Sequence, residues 1–410
     1  MSAERTTLVV GAGGSRLMVV ATALRRPLAT EQIHRVTKFE VFFDLVFVFA
    51  IIRITTFVTN PLSAVTLAEG VLLLLLLWWS WSAFSWVGNQ SRADTGFVRA
   101  GVTVAMAAVF VAGLVIPDAW DSTGPMDSPV VLAAAFVIAR LIYLALYLRV
   151  TAGGRPASTP AVLDTLPQLV AVGLVLAGGV AGGWRQAVLW TAAFAMDFGS
   201  GWLSPSLRSY QLRSPSHFAE RYGLVMIIAL GETLIAVGEG AGHSINHWLV
   251  LVAAVLGLAI VVGLWSLYSG CAAAAERALE QASDRQRAIL ARDAYTRVHF
   301  LLMLGALYLA AGVEEVIYHV SHGGTAHAEE PLGWLAALTL YCGVAVYLAG
   351  RFSFVQLSAG LARPAPLAGA GLIILLLPAA ASLPALAALG LLCAVVTAVT
   401  VFDHRTREQS

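Results

Sequence analysis

Ionisable side chains interrupt long apolar stretches of this sequence, and their spacing limits the chemistry they can do. Glu40 and Asp44 stand four apart within Phe39–Ala50, so a helix presents them on one face. His217, Glu220 and Arg221 cluster at the opening of a second stretch, which holds Glu232 deeper in. Asp293 and His299 open a third. Arg140 and Asp197 each fall near the middle of an apolar run. Carboxylates deprived of water and of a basic partner take up protons near neutral pH, which is the chemistry of a proton relay or cation site. His217 and Glu220 offer two metal ligands at helical spacing. Two ligands do not make a site, so the spacing predicts hydrogen bonding at a helix mouth and no metal.

The elements that must position these groups are twelve apolar runs: 39–58, 67–87, 98–117, 129–149, 162–181, 184–203, 219–241, 247–270, 295–318, 332–350, 366–382 and 384–402. Most have the roughly 17–25 residues needed to cross a hydrocarbon core as a helix. Apolar residues make up 59% of the chain and charged residues 12%, against about 25% charged in soluble domains. The fold class is therefore all-α integral membrane with about twelve transmembrane helices. All but three of the 25 Lys and Arg residues fall on the N-terminal segment, the even-numbered connections with the run ends that adjoin them, and the tail; the exceptions are Arg53, Arg140 and Arg185. The positive-inside rule then predicts a multi-pass protein of the cell membrane with both termini cytoplasmic. The basic residues follow topology and form no patch for nucleic acid. Residues 1–34 read as a disordered cytoplasmic segment. Leu8–Leu24 resembles a weak signal sequence, but Gly11, Gly13, Gly14 and Arg16 break it.

Two halves are expected, 35–210 and 211–403, followed by a tail over 404–410. Trp81-Ser82-Ala83-Phe84-Ser85 resembles Trp265-Ser266-Leu267-Tyr268-Ser269, and Arg92-Ala93-Asp94 matches Arg292-Asp293 in order. Six spans per half give parallel repeats related by an axis along the membrane normal.

Each ionisable group within a span costs about 2.5–3.5 kcal/mol on insertion scales. Asp44 lies roughly 6 Å deeper than Glu40. Both are expected to line an aqueous cytoplasmic vestibule. The deep set is Asp44, Asp197 and Glu232 against Arg53 and Arg140, which leaves one carboxylate over after two pairs form. Arg140 with Asp197 or Glu232 reads as a structural interhelical pair, with a transport role as the alternative. Gly231 and Gly238 would let a neighbouring helix approach the Glu232 face, bringing Glu232 towards Arg140 or the acids of the first span. Trp78, Trp79, Trp81 and Trp86 read as an interfacial belt.

Phe39-Glu40-Val41-Phe42-Phe43-Asp44-Leu45-Val46-Phe47-Val48-Phe49-Ala50 resembles the opening signature of the bacterial low-temperature-requirement A family. His217-Phe218-Ala219-Glu220-Arg221-Tyr222-Gly223-Leu224, continuing into Ile228-Ala229-Leu230-Gly231-Glu232, resembles its second signature. Ala291-Arg292-Asp293-Ala294-Tyr295 followed by His299 resembles its third. The resemblance runs from about Arg35 to Thr400. Family members often carry an aspartate after the aromatic pair ending span eight, where this chain has Tyr268-Ser269-Gly270. The resemblance implies attention to Glu40, Asp44, His217, Glu220, Arg221, Glu232 and Asp293, and implies no settled activity.

Three functions fit these residues. A transporter-like protein would place a proton- or cation-linked carboxylate site between the halves, with the bilayer, a proton or small cation and an unidentified small solute as its partners. An integral membrane enzyme would use His217, Glu220, Asp44 and Asp293 at the cytoplasmic mouth on a lipid or isoprenoid. A stress-related structural protein would have no turnover. No phosphate-binding loop, His-Glu-x-x-His or Cys-x-x-Cys is present, so no cofactor is expected.

Overall fold

The computed structural model describes residues 35–152, 162–163, 165–203, 212–241, 248–322, 330–361 and 363–408. The expected disordered segment 1–34 lies outside them. Each of the twelve apolar runs forms a helix: α1 (Lys38–Thr59), α2 (Ala64–Gln90), α3 (Gly96–Val115), α4 (Ser128–Ala152), α5 (Leu166–Ala181), α6 (Gly183–Leu203), α7 (Pro215–Ala241), α8 (Trp248–Gln281), α9 (His299–His322), α10 (Trp334–Ala359), α11 (Ala365–Ser382) and α12 (Ala385–Glu408). A short helix, Asp284–Leu290, and a π-helical stretch, Ala291–Val298, lead into α9. Among the described residues, ten helices are long and apolar enough to cross a membrane. With its 16 residues, α5 is shorter than the others, about 24 Å at the helical rise. It folds against α6 through Gly182 and Gly183, whose positive φ values of 62° and 55° suit glycine.

Local sequence sets the helix starts. Thr37 caps α1 in a reciprocal box: Glu40 N–H donates to Thr37 Oγ1, and Glu40 Oε2 accepts from the Thr37 amide at 2.9 Å. Ser63 and Thr66 do the same for α2. Side chains then sort by helix face. On α1, Phe42 and Leu45 point outward while Glu40, Phe43, Asp44 and Phe47 are buried.

Neighbour relations among the first six helices recur in the second six. The pairs α1–α2, α1–α3, α2–α4, α3–α4, α4–α5, α5–α6 and α2–α6 return as α7–α8, α7–α9, α8–α10, α9–α10, α10–α11, α11–α12 and α8–α12. An ion pair recurs with them: Arg140 on α4 bonds Asp197 on α6, and Arg351 on α10 bonds Asp403 on α12. The two sets meet where α1 and α2 pack on α7 and α9.

Glycines mark a close backbone approach between α9 and α10. A Cβ at Gly312 of α9 would stand 2.5 Å from Leu340 Cα on α10, and one at Gly305 would stand 2.7 Å from the Gly343 carbonyl oxygen. Backbones approach this closely only where the side chain is absent. The expected close approach at Gly231 and Gly238 does not occur; a Cβ at either would meet nothing within 4 Å.

Candidate functional site

Four of the ionisable residues singled out above meet at the seam between the two sets. Glu40 and Asp44 sit one turn apart on α1, and His217 and Arg221 one turn apart on α7, so both facing surfaces repeat at the same interval. His217 Nε2 lies 3.0 Å from Glu40 Oε1. Arg221 Nη2 donates to Asp44 Oδ1 at 2.5 Å, and Arg221 Nη1 lies 3.8 Å from Glu40 Oε1. Trp81 on α2 donates its indole N–H to the same Asp44 oxygen at 2.7 Å. Thr37 Oγ1 donates to Glu40 Oε2 at 2.9 Å. All four ionisable side chains are buried. Asp44 Oδ2 accepts no hydrogen bond among the described residues.

This corrects the expectation that Glu40 and Asp44 line an aqueous vestibule. Counting basic residues by topology assigned Arg221 to a connection. It lies instead within α7 and supplies the partner that water was expected to supply. Gly88 makes room for the cluster: a Cβ there would stand 2.9 Å from Glu40 Oε1 and 3.1 Å from Arg221 Nη1. Asn89, one residue on, ties α2 to the chain entering α7. Its amide donates to the Ser214 carbonyl at 2.7 Å and its oxygen accepts from the Arg213 amide at 2.8 Å.

The expected tryptophan belt is also corrected. Trp78 and Trp81 are buried at the seam. Trp78 Nε1 donates to the Thr296 carbonyl at 2.7 Å, and Trp86 Nε1 donates to Thr296 Oγ1 at 3.3 Å. Thr296 belongs to the π-helical stretch, and Thr296 Oγ1 also donates to the carbonyl of Ala291, five residues back. Such stretches cluster at functional sites. His299, just beyond, places Nδ1 3.1 Å from the Ala294 carbonyl, which can only accept. In the neutral ring Nε2 is then left to accept from Tyr268 O–H, at 3.1 Å. Phe354 and Tyr295 pack on the same imidazole. Asp293 faces the other way and bonds Arg292 and Arg297.

A cavity of about 850 Å³ opens beside this cluster, lined by Arg35, Arg213, Glu220, Glu276, Glu280 and Arg287 and floored by Tyr268, Tyr295 and Phe354. Glu220 is exposed, and its carboxylate accepts from the Val36 amide at 3.1 Å. His217 and Glu220 therefore divide, one into the seam and one into the vestibule. Among the described residues, no three His, Cys, Asp or Glu side chains gather as a metal site requires.

Two further residues stand apart. Arg140 is taken by Asp197, not by Glu232. Glu232 is buried on α7 about 16 Å beyond Arg221 along the helix, out of reach of the Glu40–Asp44 level. The role of Arg351 was not legible, because its position at the end of an apolar run read as a connection. It is buried within α10, where Asp403 accepts from Arg351 Nη2 at 2.9 Å and also bonds Arg407.

The sequence profile of the bacterial low temperature requirement A protein (LtrA) family matches residues 35–401. The uncharacterized protein RA0937 of Rhizobium meliloti (strain 1021) is 26% identical over 303 residues, which is 70% of this chain and 70% of that protein. No solved structure matches the chain.

Proposed function

The chain belongs to the bacterial low temperature requirement A family, and on that basis we propose a transporter-like protein of the cell membrane with a proton-linked site at the seam of two six-helix halves. The observation that carries this reading is the composition of the buried seam cluster. Glu40, Asp44 and Arg221 together carry a net charge of −1, and a proton on His217 brings the four-residue set to zero. Net charge in low dielectric is costly, and that cost is what would couple this site to a proton. Asp44 Oδ2, with its acceptor capacity unused among the described residues, is a second position for that proton. The recurring helix pairs support a duplication with parallel halves, and rocking of such halves about a central site is one route to alternating access. The vestibule supports an entry path, and the arginine bias supports a cytoplasmic opening with both termini on the same side. The partners are the bilayer, a proton or small cation and a small solute, with no nucleic acid.

Purified protein in liposomes loaded with a pH-sensitive dye tests the reading. An imposed membrane potential should drive proton entry above that of protein-free vesicles, and Asp44→Asn should abolish it in folded protein. A wild-type rate no higher than empty vesicles, or an Asp44→Asn rate equal to wild type, would sink the proton-linked site. Orientation is tested separately in cells. A cysteine at Ser122, on the exposed α3–α4 connection, should react with an impermeant thiol reagent added outside; one at Arg285 should react only after permeabilisation. The reverse pattern would invert the topology.

A further inference from the structure

The ion pair in the first helical set differs from its counterpart in the second. Arg351 and Asp403 are sealed, with side chains 1% and 0% exposed; the Leu267 carbonyl accepts from Arg351 Nε at 3.2 Å, and Arg407 adds a second guanidinium. Arg140 and Asp197 keep 12% exposure each. They stand at a neck between two chambers. The outer chamber, about 140 Å³, reaches from Arg292 and Thr296 past Trp86 to the pair. The inner chamber, about 50 Å³, continues beyond it among Leu76, Phe136, Val172, Val175 and Phe194. Trp79, Arg140 and Asp197 line both chambers.

We propose that this neck binds a small zwitterion, with the ligand carboxylate on Arg140, its ammonium on Asp197 and a short aliphatic group in the inner chamber. The argument is one of charge and size. The pair is neutral as a whole, so a ligand bearing net charge would leave an uncompensated charge away from water. A zwitterion inserted between the partners gives each a new opposite charge and keeps the total at zero. The planar guanidinium matches a carboxylate with two parallel hydrogen bonds. The Tyr143 ring, 4.9 Å from the Arg140 guanidinium carbon, holds its plane. At roughly 10–15 Å³ per water-sized group, the inner chamber takes about three to five heavy atoms, which is an isopropyl or isobutyl group. Ser82, Gln168 and Thr296 give the outer chamber a polar path for the charged end. The site lies apart from the Glu40–His217–Arg221–Asp44 cluster and does not depend on proton coupling.

The test is equilibrium binding of radiolabelled L-valine to purified full-length protein in detergent. Saturable binding is expected. Isovalerate, which lacks the ammonium, and isobutylamine, which lacks the carboxylate, should compete about tenfold or more weakly, because each leaves one member of the pair unmatched. Single changes at Arg140 or Asp197 strand a buried charge and can block folding, so two other variants carry the test. Arg140→Gln with Asp197→Asn keeps the neck neutral and should lose binding. Ala193→Leu fills the inner chamber with the ion pair untouched and should also lose binding, while both variants elute as folded protein on size exclusion. Absence of L-valine binding to folded wild-type protein would overturn the proposal. So would equal competition by either analogue, or full binding by folded Ala193→Leu protein.

Discussion

Replacing Arg221 with alanine is expected to remove most of the folded protein. The change strands Asp44 and Glu40, both buried, with only His217 to compensate them. Removing one partner of a buried ion pair costs about 3–5 kcal/mol, a large share of the roughly 5–15 kcal/mol that stabilises a folded domain. Arg221→Lys should recover part of the loss, because a single ammonium cannot serve both carboxylates as the forked guanidinium does. The diagnostic variant is Arg221→Gln with Asp44→Asn. It removes opposite charges together and should be more stable than Arg221→Gln alone, a coupling that independent sites would not show. Thermal unfolding followed by size exclusion with fluorescence detection measures all of these. An Arg221→Ala protein that melts with the wild type, or single changes that simply add, would mean that the seam cluster does not hold the two sets together.

The next largest effect is expected at Gly312. A methyl group there would stand 2.5 Å from Leu340 Cα and 2.8 Å from its nitrogen, atoms that cannot move without shifting α10. Gly312→Ala should therefore destabilise by about 1–3 kcal/mol, the usual cost of overpacking, and Gly312→Leu should prevent assembly of the α9–α10 seam. Gly231→Ala is the matched control. Nothing lies within 4 Å of the added carbon there. The helix gains roughly 0.5–1 kcal/mol from the loss of glycine's conformational freedom. Opposite shifts in melting temperature are the expected result. An unchanged midpoint for Gly312→Ala would show that α9 and α10 tolerate separation.

The contrast between these two glycines marks the boundary between what the chain reveals and what packing decides. Gly231 and Gly238 stand seven apart on one helix face, and so do Gly305 and Gly312 on α9 and Gly343 and Gly350 on α10. The spacing is identical, but only the last two pairs meet a backbone, because the choice depends on how each helix is rotated against its neighbours. The membrane class, the helix at every apolar run and the Thr37–Glu40 cap follow from local rules, since hydrophobic length and capping need nothing beyond a few adjacent residues. The family signatures and the groups worth attention were legible for the same reason. An ionisable residue in an apolar run announces its own cost.

The partners of those groups were not legible. Arg221 and Arg351 sit near the ends of apolar runs, where a topological count treats them as connections, yet the structure buries both against carboxylates on other helices. Trp81 has the composition of a membrane interface and serves instead as a donor to Asp44. Composition is a property of a segment. A hydrogen bond between α2 and α1, or an ion pair between α7 and α1, is a property of two segments far apart in sequence, and it exists only once the bundle has brought their faces together.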